Sequence, residues 1–387
     1  MKRFSPLLRL IYLLCIAGVL TLLSCNEETT KPPPIVDEEP EDTTTTSHFS
    51  TVFYDTLGVA WSALGGVAII NKDSAWVGGT MFVLDSTGKI DQTNYYNAAH
   101  WNSTRWQLEK ITFSYPQIDG SYYRTHRVGI GSINRVGDEI WFRGAGVTRL
   151  RNGKFEEMKV PFDVIIGVSG KMSVLSPNDI LFVGGGTIVH WDGQNFTKMK
   201  TPDRGKYTPL SNIYYVSKTE AYAVGGDFSS GEGIVIKYDG ASWTTMIESN
   251  FLLTPEDSTR FMKTLLFGPL SCVWKDEKGK LYVGGNLIST MHRNIWSLPQ
   301  TIPGNNLLRI PDVMGFVETI DGQGFNDIII AGDYGFILHF NGKSWERIGI
   351  GYQKGSHLLW YGVHIKNDFA VAVGRISGKA ILMRAYR

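Results

Sequence analysis

Side chains able to do chemistry are sparse in this sequence, and their spacing completes no familiar catalytic set. A His-Glu-x-x-His pair, a Gly-x-Ser-x-Gly turn and clustered cysteine ligands are all absent. Their absence removes the usual signatures of a zinc hydrolase, a serine esterase and a structural zinc site. Gly167 to Ser173 contains Gly170-Lys171, but Ile165 stands where a phosphate-cradling loop needs its first glycine. His190 and His339 occupy equivalent places in two similar stretches far apart in the chain, which suggests a recurring structural position and not a metal pair. Four polar residues, Asp227, Asn286, Asp333 and Arg375, each follow a glycine that ends an apolar run. Converging loops there would line a small-ligand or ion site, while Asp and Asn after glycine also make plain turns. Paired carboxylates brought together by the fold remain a second route to catalysis. Between the first two such glycines lies an aromatic segment with Tyr95, Tyr96, Trp101 and Trp106. Its rings suit a sugar face or a protein partner, or else fill a core. No catalytic residue, metal or cofactor is assigned.

The elements that must position these residues repeat. Asn178 to Met199 aligns with Asn326 to Ile348 with one residue of slippage, and related copies run through Val224-Gly225-Gly226 to Trp243 and from Asp138 to Phe155. Weaker copies contain Gly78, Gly284 and Gly374. The marker glycines Gly78, Gly144, Gly184, Gly225, Gly284, Gly332 and Gly374 are separated by 66, 40, 41, 59, 48 and 42 residues. Repeats of about 40 to 50 residues suit four-stranded blades set around an axis. One copy reads as strands at Met172–Leu175, Ile180–Val183, Thr187–Trp191 and Phe196–Met199, with glycines breaking the second strand. Asp192-Gly193 closes the next hairpin in the type I′ manner, where both central residues need positive φ. The aromatics Phe155, Phe196, Trp243 and Trp345 recur at one place per copy and are expected to wedge between sheets.

The last copy supplies strands near His357–Ile365, Phe369–Val373 and Ala380–Ala385, then ends. The β-prone segment Ser50 to Leu57 has no copy of its own. Its pairing with the last strand would close the ring and cover an exposed sheet edge. The expected fold is therefore an all-β, seven-bladed propeller over residues 48–387.

Ahead of it, Lys2, Arg3 and Arg9 precede an apolar run from Leu10 to Leu23, the layout of a signal peptide over residues 1–24. Residues 26–47 hold seven acidic residues and one lysine, with Pro32 to Pro34 and Thr43 to Thr46. Such a stretch has little to bury and reads, with Cys25, as an extended tether over 25–47. The whole chain has 387 residues, 43% hydrophobic, with a formal charge of +1. That charge argues against a nucleic-acid partner, which would require a basic face. With Cys15 in the signal, Cys272 is the one cysteine left to the folded part; beside Leu270, Val273 and Trp274 it reads as a buried small hydrophobe.

Leu22-Leu23-Ser24-Cys25 resembles the lipobox of bacterial lipoproteins, which implies acylation of Cys25 and anchoring in a lipid bilayer. The acidic residues after it resemble the surface-export signal of Bacteroidota-type lipoproteins. The diglycine and aromatic pattern resembles Kelch repeats, and Gly332 to Trp345 resembles BNR or photosystem II assembly factor-like propellers. Together these imply a lipid-anchored propeller on the periplasmic or surface side of a bacterial envelope. It would act as a non-catalytic protein- or glycan-binding module or an assembly factor, with a secreted glycoside hydrolase or lyase as the alternative.

Overall fold

A computed structural model of the protein describes residues 44–164, 170–205, 207, 209–250, 268–285, 288–292, 295–297, 316–350 and 357–387. Cys25 and Asn286 lie outside the described residues. The compact unit begins at Thr44, inside the stretch expected as tether.

In chain order the strands are β1 (Thr51–Leu57), β2 (Ala63–Asn71), β3 (Ser74–Leu84), β4 (Ile90–Trp101), β5 (Trp106–Glu109), β6 (Phe113–Pro116), β7 (Tyr122–Thr125), β8 (Ser132–Val136), β9 (Glu139–Arg143), β10 (Val147–Arg151) and β11 (Lys154–Met158). They continue with β12 (Met172–Ser176), β13 (Asp179–Gly184), β14 (Thr187–Trp191), β15 (Phe196–Met199), β16 (Leu210–Ser217), β17 (Glu220–Asp227), β18 (Glu232–Tyr238), β19 (Trp243–Asn250) and β20 (Leu270–Lys275). The last are β21 (Leu281–Gly285), β22 (Ile288–His292), β23 (Ile295–Ser297), β24 (Val317–Gly324), β25 (Asp327–Gly332), β26 (Ile337–Phe340), β27 (Trp345–Arg347), β28 (Leu359–Lys366), β29 (Phe369–Ile376) and β30 (Lys379–Tyr386).

Six sheets take four consecutive strands in order, starting at β2, β8, β12, β16, β20 and β24, and another runs β1-β30-β29-β28. The described residues thus form seven four-stranded sheets, with β6 and β7 as a separate hairpin. This is an all-β β-propeller with four-stranded blades. The first strands pack in series, β2 on β8, β8 on β12, β12 on β16, β16 on β20, β20 on β24, β24 on β28 and β28 on β2. β1 pairs antiparallel with β30 from Thr51↔Tyr386 to Leu57↔Ala380. Asp55 on β1 accepts from Arg384 Nε at 3.0 Å and from Trp106 Nε1 at 3.2 Å, joining β1, β30 and β5.

Burial follows the apolar runs. β9, β13, β21 and β25 are buried along their whole length, because second strands are covered on both faces by neighbouring sheets. An uninterrupted run such as Ile328 to Ala331 is the sequence form of that environment. Phe196, Trp243 and Trp345 are buried between sheets, whereas Phe155 is 42% exposed, its ring edge still meeting Trp76 and Phe142.

Glycines break the second strand in the copy where that is expected, β13 stopping at Gly184 ahead of Gly185 and Gly186 at positive φ. In other copies the repeat glycines stay inside the strand: β3 runs through Gly78-Gly79 to Leu84, and β17 through Gly225-Gly226 to Asp227. They are glycine because a Cβ at Gly79, Gly225, Gly332 or Gly374 would come within about 2 Å of the carbonyl oxygen of Ala63, Pro209, Phe316 or Leu359. Of the hairpins, Asn152-Gly153 has both residues at positive φ. In Asp192-Gly193, Asp239-Gly240 and Asn341-Gly342 only the glycine does. These are four-residue turns, in which the Asp or Asn oxygen accepts the following N–H groups.

Candidate functional site

Antiparallel order within every sheet divides the propeller into two ends. Turns from first to second and from third to fourth strands fall at one end, the turn end. Loops from second to third strands, and all connections between sheets, fall at the other, the loop end. Exposed large apolar residues are distributed unequally: Trp61 (63%), Tyr207 (69%), Phe228 (72%) and Tyr334 (47%) all lie at the loop end. No described turn of the turn end holds one. Trp61 and Tyr334 also have positive φ, 70° and 53°, a costly conformation for aromatic residues.

At the loop end the first strands begin together, and a β-bulge recurs. Gly65, Ser211, Ser271, Glu318 and Tyr361 are each the extra residue between first and second strands. A bulge re-aims the side chain and carbonyl of its extra residue. Gly131 and Lys171 stand at the corresponding places just ahead of β8 and β12.

Lys171 ties this ring of positions together. Its Nζ donates to the carbonyls of Gly65 and Gly131 at 2.9 Å and of Tyr361 at 3.4 Å, one from each of three other blades. Burial pushes its pKa down to about 8, with Glu318 pulling the other way. Lys171 as a whole is half-buried. Arg143, at the end of β9, donates to the Lys171 carbonyl at 2.7 Å and to the Val183 carbonyl, and burial lowers its pKa to about 9. Around the other side, Ser211 Oγ donates to the Leu270 carbonyl at 2.7 Å and Ser271 Oγ to the Val317 carbonyl.

Glu318 differs from the rest of the ring. It makes no hydrogen bond among the described residues, and burial followed by the nearby Asp333 raises its pKa to about 7, against the pull of Lys171. Asp333 accepts the Phe316 N–H at 3.4 Å, and burial raises its pKa too. The Tyr361 hydroxyl is likewise raised by burial, with Arg375 opposing and Glu318 and Asp333 adding to the rise. Lys171, Glu318, Asp333, Tyr361 and Arg375 therefore share one electrostatic neighbourhood.

Two of the expected site residues, Asp333 and Arg375, belong to it. Asp227 makes a local turn, its Oδ1 accepting from Ser229 N–H at 2.8 Å and Ser229 Oγ at 2.7 Å; those bonds lower its pKa. The expected aromatic insertion is part of the first sheet. Tyr95 is buried against Phe82, Lys110 lies 4.9 Å from the Tyr96 ring, and Trp101 is buried with the Arg384 guanidinium 4.0 Å from its ring. Trp106 bonds Asp55 as described above. His190 and His339 each pair within their own blade, with Asp179 and Asp327 at 2.8 Å. No group of three or more metal-ligating side chains occurs among the described residues.

Sequence reasoning passed over Lys171, Glu318 and Tyr361. A signal for them exists: each stands 13 or 14 residues ahead of the repeat glycine, as Gly65, Gly131, Ser211 and Ser271 do.

Solved structures of similar shape are propellers. YCF48, a photosystem II assembly factor, bound to D1 peptide aligns over 89% of this chain and 99% of its own with a TM-score of 0.57 at 14% identity. YCF48 from Cyanidioschyzon merolae covers 86% and 98% with 0.53 at 11% identity. The WD40 β-propeller domain of Doa1 covers 89% and 97% with 0.54 at 11% identity. The fold is shared. At such identities nothing beyond the fold follows. No family model matches the chain, and no curated protein matches it in sequence.

Proposed function

We propose that the protein is a lipid-anchored envelope propeller whose loop end binds a segment of another protein, as a non-catalytic binding or assembly module. The observation that carries this reading is the set of exposed aromatic rings at the loop end, Trp61, Tyr207, Phe228 and Tyr334. Exposed apolar groups gathered on one surface of a soluble fold mark interaction sites, and loops on a rigid scaffold are where such sites form. A similarly shaped propeller, YCF48, is known bound to a peptide. Around the axis, Arg375 offers positive charge to a ligand, and Asp333, with Glu318 when ionised, offers negative charge.

The seven sheets are read as blades of one closed ring. Serial packing of the first strands and the pairing of β1 with β30 support that closure. Acylation of Cys25 is read from its lipobox, and Kelch or BNR kinship from the glycine and aromatic pattern. The chain joins the propeller at the turn end, where Asn326 Nδ2 donates to the Thr44 carbonyl at 3.2 Å and Thr46 N–H donates to Asn341 at 3.1 Å.

Cross-linking of intact cells, followed by capture of the protein in detergent, tests the reading. Partners should be recovered with the wild type and with Lys343→Ala at the turn end, and lost with Phe228→Ala combined with Tyr334→Ala. Equal recovery from all three proteins would sink it. A second reading, a glycan hydrolase or lyase, is favoured by Glu318, whose pKa near 7 is what a general acid needs. Polysaccharide turnover abolished by Glu318→Gln would establish that reading instead.

A further inference from the structure

The chain's entry into the propeller is held by a pair of histidines. Thr46 Oγ1 donates to the Asn326 carbonyl at 2.8 Å, and Ser50 N–H donates to the Tyr386 carbonyl at 3.0 Å. Between these points, His48 and Phe49 cover His339 of β26, which is fully buried. His339 Nε2 lies 2.8 Å from Asp327 Oδ1, and Arg387 closes on the same carboxylate. Its other nitrogen, Nδ1, lies 2.8 Å from His48 Nδ1. The Phe49 ring packs edge-on to His339 at 5.2 Å, and the Arg387 guanidinium lies 4.5 Å from that ring.

The Asp–His pair by itself is repeat architecture. Asp179 and His190 reproduce it at 2.8 Å in another blade, where the additional partner is the Tyr215 hydroxyl, donating to Asp179. The second histidine is what distinguishes the pair at the chain entry.

Two ring nitrogens at 2.8 Å need one proton between them. Asp327 takes the Nε2–H of His339, so in the neutral ring Nδ1 accepts, and His48 supplies the Nδ1–H. One further proton charges His48 and weakens the contact, because burial, His339 and Arg387 all disfavour a positive ring there. It goes to His48 Nε2, which faces Glu346 Oε2 at 3.4 Å and Ser344 Oγ at 3.5 Å. A second proton would set N–H against N–H and positive charge against positive charge, beside Arg387.

We propose that His48 and His339 form an acid-released clasp, which pins residues 44–50 to the turn end at neutral pH and frees them as His48 becomes protonated. The charged groups around the pair are Asp327, Glu346 and Arg387. Burial, the neighbouring His339 and Arg387 lower the His48 pKa, with Glu346 opposing. A lowered imidazole pKa means that the folded form prefers the neutral ring. The clasp is therefore at full strength above 6.5 and is lost as pH falls through the lowered value. Asp327 stays ionised throughout, because its bonds to His339 and Arg387 outweigh the burial that would raise its pKa. Release leaves β1 paired with β30 and adds seven residues of free chain, on the order of 20–25 Å of reach. For a propeller anchored through Cys25 that is added distance from the membrane, but the clasp does not depend on the anchor.

Amide hydrogen exchange on the full chain at pH 7.5 and 5.0, corrected for intrinsic rates, tests the clasp. Residues 44–50 of the wild type should exchange roughly tenfold faster at the lower pH, the scale of one to two lost hydrogen bonds, with β13 unchanged. His48→Gln, which retains a donor and does not titrate, should give equal protection at both values. Three results overturn the proposal: unchanged wild-type protection, acid loss in His48→Gln matching the wild type, or equal loss in β13.

Discussion

At the turn end, Asn102, Asp192, Asp239 and Asn341 each close a hairpin in the same way, one side-chain oxygen accepting the two N–H groups two and three residues on. At the loop end the backbone also repeats, with a bulge ahead of a close-approach glycine, but its side chains differ from blade to blade: Gly65, Gly131, Lys171, Ser211, Ser271, Glu318 and Tyr361. Chemistry repeated unchanged marks the scaffold, since each copy solves the same local problem of satisfying turn amides. A fixed backbone position filled by five residue types marks where the copies have been made unequal. Lys171 complicates the division, because it stands at the loop end and yet satisfies carbonyls of three other blades.

The division can be broken or sharpened experimentally. The largest effect is expected from deleting residues 48–57, which removes β1, bares the edge of β30 and orphans Arg384 and Trp106. A loss above ~4 kcal/mol, read as the absence of a cooperative thermal transition, is expected; a small shift in melting temperature would mean β1 is dispensable. Next, Lys171→Met leaves three partly buried carbonyls without their donor. At about 1 kcal/mol for each unpaired acceptor, chemical denaturation should reveal a loss of about 3 kcal/mol. A neutral result would return Lys171 to the binding side of the comparison.

A smaller effect separates Glu318 from the scaffold. Its pKa is raised from 4.5 to about 7, so the folded protein favours the protonated acid. Stability from this group is present below pH 4.5 and lost as pH rises to about 7. Relative to Glu318→Gln, the wild type should lose melting temperature across that window, and parallel profiles would refute the assignment. Smallest of all, Phe228→Ala and Tyr334→Ala should each change stability by no more than ~0.5 kcal/mol in thermal melts. A larger loss would make these rings structural.

Much of the architecture was legible because strand chemistry is local. Apolar runs such as Ile328 to Ala331, bounded by Asn326-Asp327 and Gly332, state both length and burial, and repetition supplied the sheet order. The orphan segment at Ser50 to Leu57 pointed to its own partner because the last copy lacked one strand. The site was less legible. Asp333 and Arg375, selected for their place after a repeat glycine, lie near Tyr361, whereas Asp227, selected by the same rule, makes a local turn with Ser229. Tyr95 and Trp101 suit either a binding surface or a core in the sequence, because aromatic composition does not tell a long strand from a loop. Lys171 was set aside with an incomplete phosphate-loop pattern, and the spacing that would have recovered it is visible only when all the copies are lined up on the second strand.

By itself, the sequence determined the repeat, the strands within it and the places where glycine is obligatory, since each follows from contacts between residues a few positions apart. Which residues meet at the axis was decided only by the tertiary structure. Lys171 lies 106 residues from Gly65 and 190 from Tyr361, and hydrogen bonds of that separation depend on how the blades are set against one another. Likewise, no local rule makes His48 the partner of His339, 291 residues away. That contact exists because residues 44–50 cross the turn end over β26 before β1 begins.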